Sequence, residues 1–234
     1  MSERTMSTEA AQGVALVGER GQERGRGTTT RMFESDFLER MSRIHPATPF
    51  VVWLPIITFF VGRSLYRGEP GALAVAGLFL VGVLAWTLTE YVLHRWVFHW
   101  TKDTPFGRRF HFLVHGVHHD YPNDKDRLVM PLGVSIPLGI FFYTVFRAAF
   151  GVTTGEPFFA GFVFGYLGYD GVHYAVHHFA MKSGPARWVK RHHMLHHHAD
   201  HDGGFGVSSP LWDLVFRTMP MPQRRKLRAR AAEG

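Results

Sequence analysis

The sequence predicts an all-α integral membrane protein: four transmembrane helices, paired as two hairpins, with a cytosolic helical cap holding a histidine-rich dimetal site. Three observations predict it. Long uncharged apolar runs alternate with polar, basic stretches over 234 residues, enough for one substantial domain with short tails. Histidines gather in clusters at the ends of those runs. Cysteine is absent, which removes disulfides, zinc–thiolate sites and iron–sulfur clusters and leaves imidazole as the main strong nitrogen ligand. The formal charge of +7 invites a nucleic-acid reading, but the cations sit in tails and loops between uncharged runs. That is the pattern of membrane-span flanks, and no nucleic-acid partner is expected.

Residues 1–43 mix Ser, Thr, Gly, Glu and Arg without apolar periodicity, so a disordered polar tail is expected there, with at most a short interfacial helix between Arg31 and Arg43. It lacks the apolar core of a secretory signal. Residues 44–222 form the expected membrane domain, and 223–234 a basic C-tail beside anionic head groups. Four apolar segments follow the N-tail. Pro49 to Gly62 is 14 residues, short for a span unless its flanks contribute. Gly71 to Thr89 and Leu128 to Phe146 are 19 uncharged residues each, long enough to cross a hydrocarbon core of about 30 Å. The fourth begins at Pro157, is apolar to Tyr169, and then runs through Asp170 into His173. Short links at 63–70 and 147–156 pair the segments.

Charge sets the orientation. Lys and Arg number seven in residues 1–47, six in 92–127 and ten after 178, against two and one in the links. Both termini and the middle loop are therefore expected on the cytoplasmic side. With four crossings, all the histidine clusters arrive at that one face.

His115/His118/His119 and His193/His196/His197 have i, i+3, i+4 spacing, which places three imidazoles within one helical arc aimed at one point. His173/His177 are i, i+4, as in many paired-histidine metal sites. His94/His99 are i, i+5, which needs local unwinding or a bulge at the membrane exit. These ten histidines exceed what one zinc takes and suit two metals of higher coordination number with positions left open. Glu90, Asp170 and Asp200 are candidate carboxylates to orient the rings. His178, His192, His198 and His201 are adjacent extras whose roles the spacing leaves open; His45 reads as interfacial and structural, and His111, one turn before His115, as a loop residue or else an accessory to that cluster. No catalytic residue is expected beyond these metal ligands. A metal-binding or transport protein is the non-enzyme alternative, although the spans carry almost no polar residues to line a pathway. A pH sensor would not need repeated coordinating triplets.

From about Trp86 to Thr218 the chain resembles the fatty acid hydroxylase/sterol desaturase superfamily of membrane diiron-type oxygenases. Residues 90–99, His115-Gly116-Val117-His118-His119, His173-Tyr174-Ala175-Val176-His177-His178 and His193-Met194-Leu195-His196-His197 are similar to its histidine boxes. Asp124 to Pro131 and Gly204 to Ser209 resemble the fatty acid 2-hydroxylases in particular; a sterol- or carotenoid-type hydroxylase or desaturase is the alternative within the superfamily. The resemblance implies a four-helix anchor under a cytosolic cap and two iron ions held by the ten histidines, with zinc able to take their place in purified protein. It also implies O2-dependent hydroxylation of a bilayer acyl lipid beside its carbonyl, with Tyr121, Asn123 and Tyr174 as candidate head-group contacts. Many eukaryotic relatives carry a cytochrome b5-like domain. No haem-binding pattern occurs in this tail, so an external electron donor is expected, a ferredoxin or cytochrome b5-like protein with its reductase.

Overall fold

The computed structural model describes residues 29–221 and 223–225, all helix or irregular chain with no strand among the described residues. Among the described residues, three helices are long and apolar enough to cross a bilayer. Helix α2 (Thr48–Arg67) ends at Gly68, whose left-handed φ of 73° stops it. Helix α3 (Ala72–Leu93) follows and runs without interruption into a π-helical turn, His94–Phe98. The long helix α6 (Leu132–His178) contains one non-helical residue, Gly151 (φ 74°, ψ 175°). The first segment is thus longer than the 14 apolar residues expected, because Pro49 sits in the first turn where its missing N–H is harmless.

The expected loop at 147–156 is absent. Gly151 alone reverses the chain, because only glycine adopts that backbone without strain. Ring pairs Phe142–Phe162, Tyr143–Phe159 and Phe146–Phe158, with centroids 4.8, 5.3 and 4.8 Å apart, pair residues that rise in number on one arm as they fall on the other. The arms 132–150 and 152–178 are therefore antiparallel.

Close approach of backbones packs these helices. A Cβ on Gly82 would lie 2.1 Å from the Phe158 carbonyl oxygen, and one on Gly161 1.9 Å from that of Phe79. Small residues at such a crossing let van der Waals contact replace the hydrophobic drive that lipid removes. Around it lie Trp53, Trp86, Phe159, Phe162 and Tyr166, with Trp86 edge-on to Phe162 and Tyr166. At the end remote from the histidines, Glu156 is fully buried and paired with Arg67 at 2.7 Å and Arg63 at 3.4 Å, which ties α2 to α6.

The other end carries short helices: α1 (Asp36–Met41), α4 (Pro105–His111) leading into a second π-helical turn (Phe112–Gly116), α5 (Val117–Asp120), α7 (Gly184–His198) and α8 (Leu211–Val215). Residues 29–43, read from sequence as part of a polar tail, pack here; residues 1–28 lie outside the described residues. Met32 is buried against Val117 and Tyr121. The Glu39 carboxylate accepts from the Met32 and Phe33 amides and binds the buried Arg127 guanidinium. Apolar pairs and charge recognition order a stretch whose composition alone would not. Of the expected C-tail, Gln223 is buried and reaches His192, Arg224 returns to the Met219 carbonyl, and the remainder beyond Arg225 lies outside the described residues.

Gly161→Ala, whose methyl meets backbone, is expected to destabilise the bundle by about 1–3 kcal/mol, read as a lower melting temperature in detergent. Gly77→Ala, with open space around the new methyl, should leave it unchanged.

Candidate metal centre

The histidines converge because their helices end together. His94 and His99 flank the π-helical turn at the end of α3, where the wider coil supplies the bulge that i, i+5 spacing requires, and the His99 amide bonds the His94 carbonyl at 3.2 Å. His115 lies in the last part of the second π-helical turn, before Gly116, and His118 and His119 stand on α5. His173 and His177 close α6, and His193, His196 and His197 lie on the buried face of α7.

The structure brings all ten together as two pentads, His94/His99/His115/His119/His196 and His118/His173/His177/His193/His197; within each, the candidate donor atoms lie within 4.8 Å of one another. In the first, Nε2–Nε2 distances are 3.0 Å for His94–His115, 3.3 Å for His94–His99, 3.0 Å for His99–His196 and 2.9 Å for His115–His119. In the second they are 2.9 Å for His118–His173, 3.0 Å for His118–His197, 2.9 Å for His177–His193 and 3.0 Å for His193–His197. The His119 and His197 rings stack at 4.2 Å and join the pentads.

One expectation fails in an instructive way. Neither i, i+3, i+4 triplet aims at one point. His115 and His119 enter the first pentad while His118 enters the second, and His193 and His197 enter the second while His196 enters the first. A 100° arc spans two adjacent centres as readily as one.

Burial and mutual repulsion suppress protonation. Desolvation, then the neighbouring His196, pushes His99 down to about 3. Desolvation brings His196 to about 4 despite a bond to the Gly203 carbonyl. His115, His118 and His193 are buried and lie well below the ordinary histidine value for the same first cause. The rings are therefore neutral, and where Nδ1–H is engaged by a carbonyl, Nε2 must present a lone pair. His94 Nδ1 donates to Phe205 O at 2.6 Å and His196 Nδ1 to Gly203 O at 2.9 Å. Lone pairs facing one another at 3 Å repel unless a cation lies between them. Nitrogen ligands about 2.1 Å from a dication are about 3.0 Å apart at right angles and about 3.4 Å at the tetrahedral angle, so most of the observed spacings match the former. The donor set fits metal ions of coordination number five or more.

The expected ring-orienting carboxylates are elsewhere. Glu90 accepts from the amides of Val207 and Ser208 at 2.6 and 2.8 Å. Asp200 accepts from Met221 N at 2.7 Å, and Asp170 is buried without a bond to any histidine. For His94 and His196 carbonyl oxygens do that work instead, and they carry no signature in sequence. His192 is buried between Asp213 (3.0 Å) and Gln223 (2.9 Å), His111 bonds Phe98 O, and His178, His198 and His201 stand outside both pentads. Tyr121 is buried against Met32, and Tyr174 packs on His178 with ring centroids 4.4 Å apart. An apolar cavity of about 40 Å³ lies below the centre between α2, α3 and α6. It is bounded by Trp53, Trp86, Met130, Phe142 and Tyr166, and by Leu93 next to His94.

A ten-histidine centre at one end of a membrane bundle defines a class, and comparison with known proteins agrees. Residues 79–218 match the family model described as fatty acid hydroxylase. The Arabidopsis thaliana dihydroceramide fatty acyl 2-hydroxylase FAH1 is 37% identical over 81% of this chain and 80% of its own length. The Saccharomyces cerevisiae ceramide very long chain fatty acid hydroxylase SCS7 is 39% identical over 78% of this chain and 48% of its own. The solved hydroxylase domain of scs7p superposes with a TM-score of 0.72 at 38% identity, covering 79% of this chain and 70% of that one. The chain belongs to the fatty acid hydroxylase family. It is an integral membrane, hydroxylating oxidoreductase whose histidine clusters can hold metal ions.

Because the folded-state histidine values are depressed, the unfolded chain takes up protons first as pH falls. Metal-stripped protein is therefore expected to be most stable above pH 6.5 and to lose stability progressively towards pH 4. Melting temperatures of chelator-treated protein across that range would be flat if the rings were solvated instead.

Proposed function

We propose that this chain is an O2-dependent acyl-lipid 2-hydroxylase in which each pentad holds one iron ion, zinc being the alternative occupant in purified protein. The paired pentads carry this reading: ten neutral imidazoles at octahedral-like spacing, with no carboxylate among them, in a family of hydroxylases. The relatives named 2-hydroxylases act on fatty acyl groups, and the segments at 124–131 and 204–209 favour that branch over sterol or carotenoid substrates. When bound, the two irons supply what no side chain can, the activation of O2 towards an alkyl C–H bond.

The residues do the rest. The histidines supply the lone pairs, those of His94 and His196 held in direction by Nδ1–H bonds to Phe205 O and Gly203 O, and burial of most of the rings limits bulk water at the centre. The cavity below is bounded by apolar rings from three helices. At about 40 Å³ it holds only a methylene or two, so an acyl tail enters by parting Trp53, Phe142 and Tyr166 from the bilayer side. Two electrons per O2 come from a separate donor, a ferredoxin or cytochrome b5-like protein with its reductase.

We also assign four crossings. The arms of α6 are 19 and 27 residues, about 28 and 40 Å of helix, and each can span. The positive-inside pattern then puts the histidine end, both termini and the 92–127 segment on the cytoplasmic side. Consistent with one shared face, Arg109 bonds the Met32 carbonyl and Arg127 bonds Glu39.

Expression in a host without 2-hydroxylated lipids, together with a suitable donor and reductase, is expected to produce 2-hydroxy acyl lipids detectable by mass spectrometry. His118→Ala and His196→Ala should each lose metal and bring product to background. An unchanged lipid profile from metal-loaded wild type would point to a sterol- or carotenoid-type substrate.

A further inference from the structure

Residues 203–208 form a non-helical strap between α7 and α8, and both ring-orienting carbonyls described above belong to it. Gly203 O and Phe205 O receive Nδ1–H of His196 and His94, two members of the same pentad. Two buried carboxylates fasten the strap from behind. Asp213, with no exposed surface, accepts from Phe205 N (3.0 Å), Gly206 N (2.7 Å), Thr218 Oγ1 (2.7 Å) and His192 Nε2 (3.0 Å). Glu90 holds Val207 N and Ser208 N. The fit is close: a Cβ on Gly206 would lie 2.1 Å from Ser209 O and 3.0 Å from Asp213 Oδ2.

One connection passes through a single planar unit. Phe205 C=O and Gly206 N–H are the two ends of one peptide group. On one side its N–H meets the Asp213 carboxylate, and on the other its carbonyl meets His94. A carboxylate hydrogen-bonded to a ligating histidine fixes the tautomer and raises the basicity of the ligand nitrogen; here a peptide group is inserted between the two, and polarisation along the chain of hydrogen bonds carries the charge. His196 has a weaker version: Gly204 N–H donates to the Thr218 carbonyl at 2.8 Å while Gly203 O accepts from the ring.

We propose that Asp213 is a positioning residue for the pentad His94/His99/His115/His119/His196, acting through the 205–206 peptide on His94 and through the strap on His196. Metal in that pentad depends on it, and metal in the other does not. This rests on the two-metal reading above. Asp213 makes no hydrogen bond to a histidine of either pentad; among the described residues its imidazole partner is His192.

The test is metal stoichiometry of purified full-length protein, with cobalt(II) reloading followed by visible absorption. Wild type should hold two ions per chain. Asp213→Asn keeps the shape but removes the charge. It should hold close to one ion after dialysis against chelator, the affected site binding about 10–100-fold more weakly. Gly206→Ala, which leaves the carboxylate in place and displaces the strap, should do the same and decides the matter if Asp213→Asn does not fold. Adding His177→Ala to Asp213→Asn should remove the remaining ion, whereas adding His99→Ala should not. Asp124→Asn, altering a buried carboxylate that binds Arg127 remote from the strap, should keep both. Two ions of undiminished affinity in Asp213→Asn and Gly206→Ala, or parallel loss of both ions, would overturn the proposal. A wild-type chain without two ions would overturn the two-metal reading, and this inference with it.

Discussion

Ten neutral imidazoles aimed at two points do not hold themselves in place. Their lone pairs repel, their burial makes protonation costly, and each ring has given up rotamer freedom to stand there. A bound cation reverses the first of these terms, but the cost of gathering the rings falls on the scaffold. Much of the architecture can be understood as meeting it. The glycine-lined crossing of α3 and α6 fixes His94 relative to His173. The reversal at Gly151 returns α6 to the end at which α3 finishes. The buried Glu156 pair at the opposite end holds α2 to the same bundle.

The π-helical turns belong to the same account. A π-helical turn is less favourable than α-helix and persists where surrounding structure demands it. Here one carries the chain from His94 to His99 and the other delivers His115, and both feed the first pentad. The second pentad is built largely from regular helix, with pairs His173/His177 and His193/His197 one turn apart. The strap is the complementary device: where helix geometry is irregular, backbone carbonyls fastened by Asp213 and Glu90 restore ring orientation.

Most of the site was legible because helical periodicity is a local property. The i, i+4 pairs, the bulge at His94–His99 and the gathering of the clusters all follow from spacing and from their position at the ends of the apolar runs. Three things were not legible. Which of two adjacent centres a triplet member joins depends on the partner helix, so His118 and His196 could not be assigned from their own neighbours. Orientation of the His196 and His94 rings falls to the carbonyls of Gly203 and Phe205, and every residue has a carbonyl, whereas the carboxylates of Glu90, Asp170 and Asp200 are conspicuous in a sequence without bonding any pentad ring. The turn at 147–156 looked like a loop because its composition is mixed, whereas one glycine dihedral suffices. The packing of residues 29–43 was hidden for a related reason, since Met32 and Glu39 find partners some eighty residues away.

The split triplets have a consequence for scale. Where the second π-helical turn runs into α5, and again on α7, one centre takes the i and i+4 rings and the other takes the i+3 ring, and from i+3 to i+4 regular helix steps about 1.5 Å in rise and 100° in rotation. Two helices from distant parts of the chain therefore apply the same gauge to the gap between centres. Changes in loop length or composition leave that gap unchanged, since the helix pitch is its measure.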